Sequence, residues 1–117
     1  MRVGLLLAAG MVLAAPQTAS AQRAPARVQV SAAEFSFAAS RTAVRKGQAI
    51  LQLVNYGEDD HDLAVRRVGG VRTHRTRIVH PGNVAELEVR LSAGTYTLWC
   101  TLADHRLRGM EATLVVR

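Results

Sequence analysis

A single cysteine, Cys100, occurs in the chain, so no disulfide can form within it, and this thiol needs another explanation. Aromatic residues are scarce: two tyrosines, two phenylalanines and one tryptophan. Single-stranded nucleic acids are gripped by aromatic stacking along a basic groove. Here the arginines are scattered over strands and turns and no nucleic-acid motif appears, so that function class is set aside. No apolar run reaches the roughly 20 residues of a spanning helix, and no segment carries a helical period. Lysine is nearly missing as well, since Lys46 is the only one and the remaining positive charge is arginine.

The chain has 117 residues, which suits one domain. Its start reads as an export signal over residues 1–21: a positive head at Arg2, an apolar run of 13 residues from Val3 to Ala15, and the small-residue end Ala19-Ser20-Ala21. Cleavage there leaves 96 of the 117 residues, starting at Gln22, and a periplasmic or secreted location with no transmembrane segment. Without Arg2, 14 basic residues face 9 acidic ones, a formal charge of +5. Such a surface attracts acidic protein faces or anionic headgroups through long-range electrostatics. Residues 22–27, with Pro25 among alanines and arginines, read as a flexible leader, and residues 28–117 as the domain.

Within that domain β signals dominate. Strands are expected at 28–30, 34–37, 49–55, 62–67, 71–79, 84–91, 95–100 and 111–117, bounded by Gly, Ser or charged residues. Residues 84–91 alternate cleanly, with Ala85, Leu87, Val89 and Leu91 on one face. Gly69-Gly70 and Pro81-Gly82 suit tight turns. Seven or eight short strands imply an all-β antiparallel sandwich.

The chemistry gathers near the end of the chain. Tyr96, Leu98 and Cys100 share one parity, so the thiol faces inward if the two larger side chains do. Cys100, His105 and Met110 then follow at intervals of five residues in one inter-strand segment. A thiolate, two imidazoles and a weak axial thioether are a donor set for copper cycling between two oxidation states, whereas zinc gains little from a thioether. His61, just after the turn-rich stretch Gly57-Glu58-Asp59-Asp60, is the candidate for the second imidazole. His74 and His80 have no partner at ligand spacing, and Trp99 has the outward parity.

These pieces resemble the cupredoxin family, specifically the small plastocyanin-like copper-binding domains of bacteria. The resemblance covers nearly all of the chain after residue 21. It is carried by Val54-Asn55-Tyr56-Gly57 with His61 four residues on, by Val79-His80-Pro81-Gly82, by residues 93–100, and by the Cys-x4-His-x4-Met loop running into Glu111 and the last strand. It implies a Greek-key β-sandwich and one mononuclear type 1 copper held by His61, Cys100, His105 and Met110. It also implies one-electron transfer in place of enzymatic catalysis; a redox partner protein and a monomeric state are expected with it.

Two positions depart from the family pattern. Related domains with this loop length commonly carry Pro-Gly before the ligand histidine, where this chain has Ala103-Asp104, which implies a less rigid loop and a carboxylate beside His105. Asp62 stands where many relatives have asparagine, at a position resembling a clamp from the histidine strand to the cysteine loop through Thr101.

Competing classes explain less. Thiol nucleophilic catalysis leaves Met110 without a purpose and lacks an orienting third residue. A copper carrier or buffer would use the same four residues and differ in exchange rate and redox reversibility. A metal-free interaction module would have no use for all four ligand types. The arginines Arg66, Arg67, Arg72, Arg75 and Arg77, spread over two neighbouring strand candidates, form a solvated face or a docking patch for an acidic partner.

Overall fold

Side-chain alternation at period two decides which way each strand faces. In the computed structural model, which describes residues 1, 4 and 7–117, nine strands and no helix form among the described residues. Arg2, Val3, Leu5 and Leu6, part of the expected export signal, lie outside the described residues. The strands are β1 (Ala26–Ala33), β2 (Ser36–Ala39), β3 (Ala43–Val44), β4 (Gly47–Asn55), β5 (Ala64–Arg67), β6 (Thr73–Arg75), β7 (Val84–Leu91), β8 (Gly94–Trp99) and β9 (Glu111–Val116). They build two sheets, ordered β2-β1-β4-β7 and β3-β9-β8-β5-β6. Val28, Val30, Ala32, Ala49, Leu51, Leu53, Val89 and Leu91 of the first sheet meet Val65, Tyr96, Leu98, Leu114 and Val116 of the second in one core.

The sandwich is all-β, but neither sheet is purely antiparallel. β1 runs parallel to β4, from Ala26 opposite Ala49 to Ala32 opposite Asn55, and β3 runs parallel to β9. The chain leaves the first sheet after β2, adds β3 to the second, and returns as β4 beside β1; parallel neighbours require a crossover of this kind. The strand count exceeds the seven or eight expected because β3 has only two residues, too few to give a periodic signal.

Further boundaries differ from expectation, among them that β4 opens at Gly47 and β5 only at Ala64. β1 opens at Ala26, which is buried, so the strand begins inside the stretch read as a leader. The strand expected at 71–79 shrinks to Thr73–Arg75, because the Thr76 hydroxyl takes the Leu63 N–H at 3.0 Å and the backbone then loosens toward an isolated bridge between Val79 and His61. The strand expected at 34–37 moves to Ser36–Ala39, which leaves Glu34 and Phe35 in the β1–β2 turn.

Tyr96 fastens the β7–β8 corner: its hydroxyl donates to the Ser92 carbonyl at 3.0 Å and accepts from the Ser92 N–H at 3.1 Å. Four connections meet at one end of the sandwich, namely the β1–β2 turn, the β4–β5 loop, the β6–β7 segment and the β8–β9 loop. Core truncation should register strongly: Leu53→Ala, at a fully buried site, is expected to cost about 2–5 kcal/mol in urea denaturation. Leu107→Ala, at a side chain 90% exposed, should stay within about 0.5 kcal/mol of the parent protein.

Candidate metal centre

Cys100 follows β8 directly and keeps the inward parity of Tyr96 and Leu98, all three buried. Its N–H donates to the Met110 carbonyl at 3.1 Å, and the Met110 N–H donates to the His105 carbonyl at 3.1 Å. The β8–β9 loop is therefore closed on itself at the two ends of the Cys-x4-His-x4-Met segment. Residues 102–109 turn continuously, with Ala103 in the left-handed region at φ 44°, a conformation that costs an ordinary residue about 1–2 kcal/mol.

His61 arrives from the β4–β5 loop, where buried Asn55 does the organising. Its amide donates to the Asp59 carbonyl at 2.8 Å and the Val79 carbonyl at 2.9 Å, and its carbonyl oxygen accepts the Gly57 N–H at 2.8 Å. His61 and Val79 exchange two backbone hydrogen bonds, 3.1 and 2.7 Å, which fixes the backbone that carries the imidazole.

The side chains converge. His61 Nδ1 lies 3.9 Å and His105 Nδ1 3.6 Å from the Cys100 sulfur, and the three donor atoms all lie within 4.8 Å of one another. Two metal bonds of about 2.0 and 2.3 Å set at 120° would hold their donors about 3.7 Å apart, so the two nitrogen–sulfur spacings suit a shared ion. The imidazole rings lie 5.0 Å apart, and the Phe35 ring covers His105 at 5.1 Å. Met110 is fully buried and belongs to the core cluster. His61 and Cys100 are sealed from solvent, while the His105 side chain is 10% exposed.

Burial pushes the Cys100 thiol above its ordinary value of 9.0, so without a metal the sulfur keeps its proton, and an arriving ion must displace it. Asp62, buried beside this site, receives the Thr101 N–H at 2.7 Å and the Thr101 hydroxyl, which joins the segment after His61 to the residue after Cys100. The Asp104 carboxylate turns to Arg108, accepting its Nε–H at 2.8 Å, and this hydrogen bond is the main reason that it titrates below 3.8. The carboxylate near His105 Nε2 belongs instead to Asp59, at 3.8 Å. His74 lies on β6 opposite Val65, and His80 pairs with Asp60 at the surface at 2.7 Å.

One polar residue escaped the sequence reading. Glu34 Oε1 accepts from His61 Nε2 at 3.1 Å and from the N–H groups of Glu58 and Asp59 at 2.8 and 2.6 Å. The Asp59 N–H does most to hold this carboxyl down at about 2. Its stabilising contribution is therefore complete above the ordinary 4.5 and is lost as pH falls through about 2. Nothing local in the sequence marked Glu34, because it lies 27 positions from His61 and reads as the first residue of a strand.

The two-sheet fold and the buried imidazole–thiol cluster define a β-sandwich with a candidate metal site at one end. The cupredoxin-like domain model matches residues 4–116, and the chain belongs to the cupredoxin family. Among solved structures, auracyanin B is similar at 19% identity over 83% of this chain and 93% of its own, with a TM-score of 0.65. Auracyanin A of Chloroflexus aurantiacus, described as a "blue" copper protein, is similar at 15% identity over 80% of this chain and 100% of its own, with a TM-score of 0.66. An azurin of Methylomonas sp. strain J is similar at 14% identity over 80% of this chain and 99% of its own, with a TM-score of 0.63. At these identities the likeness is one of fold. No curated protein matches the chain.

The Asp62 bridge yields a direct test. Asp62→Ala leaves the Thr101 N–H and hydroxyl without their acceptor and is expected to cost about 1–3 kcal/mol in urea denaturation of the metal-free protein. Asp62→Asn, which keeps one acceptor oxygen, should lose less.

Proposed function

We propose that this protein is an exported, mononuclear type 1 copper protein that carries one electron at a time, its ion to be held by His61, Cys100, His105 and Met110. The observation that carries the reading is the convergence of two imidazole Nδ1 atoms and one thiol sulfur at a buried point within 4.8 Å. A copper ion there would supply a one-electron couple between its cuprous and cupric states. The protein supplies the rest. It excludes water from two of the three donors, and holds both histidine-bearing segments by backbone hydrogen bonds on each side. Met110 brings a buried thioether on the loop that already carries Cys100 and His105. Rigid donors reorganise little when the charge at their centre changes, and that favours electron transfer over ion delivery. The clamp at Asp62 and the ties at Asn55 support this choice over a carrier, which would have to open its ligand loops.

The export signal at residues 1–21 is part of this proposal. Leu7, Met11, Val12 and Leu13 are all at least 88% exposed and pack against nothing in the sandwich, as befits a segment meant for removal. No helix among the described residues is long and apolar enough to cross a membrane. The domain we propose for the exported form begins within the 22–27 segment, where β1 opens at Ala26.

Electrons would pass by way of His105, since it alone of the three donors reaches solvent. Near that end, Trp99 faces outward between two guanidiniums, Arg106 at 4.6 Å and Arg66 at 5.9 Å from the ring. Arg75 and Arg77 are also exposed, whereas Arg67, which donates to the Ala93 carbonyl at 3.0 Å, and Arg72 lie at the other end of the sandwich, beside Ser92 and Tyr96. This charge favours a redox partner with an acidic face, approached by a monomer of this protein.

Two outcomes are expected. Titration with cupric ion should saturate at one equivalent with an intense visible band that bleaches on reduction; Cys100→Ser should abolish it, whereas His74→Ala and His80→Ala should keep it. With an anionic inorganic oxidant, the second-order rate in stopped flow should fall several-fold from about 10 to about 200 mM salt, as screening shortens the reach of the arginines. A cationic oxidant should show the opposite slope.

A further inference from the structure

Glu34 belongs neither to the proposed ligand set nor to the strand ladders, yet one of its oxygens collects three donors. The Glu58 and Asp59 N–H groups hold Oε1 from the loop side, at 2.8 and 2.6 Å, and His61 Nε2 meets it at 3.1 Å. The side chain is 25% exposed, whereas the His61 side chain is fully buried. Gly57 belongs to the same arrangement, because a Cβ there would fall on the carboxylate, 2.6 Å from Oε2. The loop thus has no side chain at 57 where the Glu34 carboxylate passes, which leaves room for that carboxylate beside it.

An ionised carboxylate only accepts hydrogen bonds, so the ring atom facing it has to carry the proton. With the proton at Nε2, the other nitrogen keeps its lone pair, and that nitrogen is the one turned toward the Cys100 sulfur at 3.9 Å. The turn-loop-imidazole chain therefore does two things at once. It selects the tautomer able to bind a metal through Nδ1, and it aims the ring.

We propose that Glu34 is the positioning residue of the metal centre, setting the tautomer and orientation of His61 and placing a negative charge one imidazole away from the ion. The proposal rests on the reading of His61 as a ligand. Metal-bound imidazoles gain basicity and fixed orientation when their second nitrogen donates to a carboxylate, and loss of such a partner costs about 10- to 100-fold in metal affinity. A nearby anion also favours the more highly charged oxidised ion, so removing it raises the reduction potential.

Two variants separate the charge from the hydrogen bond. Glu34→Gln keeps an acceptor oxygen for Nε2–H and removes the charge; Glu34→Ala removes both. In the metal-free protein, imidazole nitrogen NMR at about pH 8 should find His61 as a single Nε2-protonated tautomer in the parent and in Glu34→Gln, and as a mixture in Glu34→Ala. Affinity for cupric ion should fall about 10- to 100-fold in Glu34→Ala and much less in Glu34→Gln. The potential of the copper-loaded Glu34→Gln protein should lie above that of the parent, a change that a purely structural loop tie would not produce. His61→Ala distinguishes the two levels of the argument. If it binds cupric ion as tightly as the parent, the ligand reading fails and the positioning role fails with it. If it loses binding while Glu34→Ala keeps the parent's tautomer and affinity, the ligand reading survives and the positioning role is overturned.

Discussion

Two imidazoles and a thiol lie together at the end of an apolar core, and burying such groups is unfavourable unless each polar atom has a partner. The surroundings of the site answer that requirement. His61 finds Glu34, His105 has Asp59 within 4 Å and Phe35 against its ring, and the Cys100 backbone is closed by Met110. No buried side-chain nitrogen or oxygen among the described residues is left without a hydrogen bond. Turned inward are two Nδ1 atoms and one sulfur, whose only partners are one another, at 3.9 and 3.6 Å from nitrogen to sulfur. The outward contacts with carboxylates and the inward donor cluster are thus two sides of one arrangement, because each imidazole has one nitrogen for each.

The sandwich makes this arrangement possible by bringing distant segments to one end. β8 delivers Cys100 with the parity of the core, and the bridge between His61 and Val79 brings the β4–β5 loop alongside. Asp62 then ties that loop to Thr101 across 39 positions of sequence. Each tie is modest, about 1 kcal/mol net for a backbone hydrogen bond and about 1.5–3 kcal/mol for one to a carboxylate. Their value lies in convergence: together they fix donors that no single loop could hold.

Much of this was legible in the sequence where the signal is local or periodic. The alternation of residues 84–91 appears in β7, and the inward parity of Cys100 follows from its strand. The five-residue intervals to His105 and Met110 needed no knowledge of the fold. Other features depend on distant pairing and left no local mark. Two-residue β3 exists because β9 offers it an edge, and the parallel pairing of β1 with β4 follows from a crossover that strand counting does not reveal. Glu34 looked like the start of a strand, and only the fold brings it to His61. Asp104 was legible as a carboxylate next to His105, but Arg108, four residues on, draws it away.

The central claim is that this protein keeps its ion and changes only its charge. Cyclic voltammetry of the copper-loaded protein, with metal content measured before and after, tests it most directly. A reversible one-electron wave that persists over many cycles with one copper retained per chain is the predicted result. An irreversible wave, or copper lost to solution on reduction, would contradict the account.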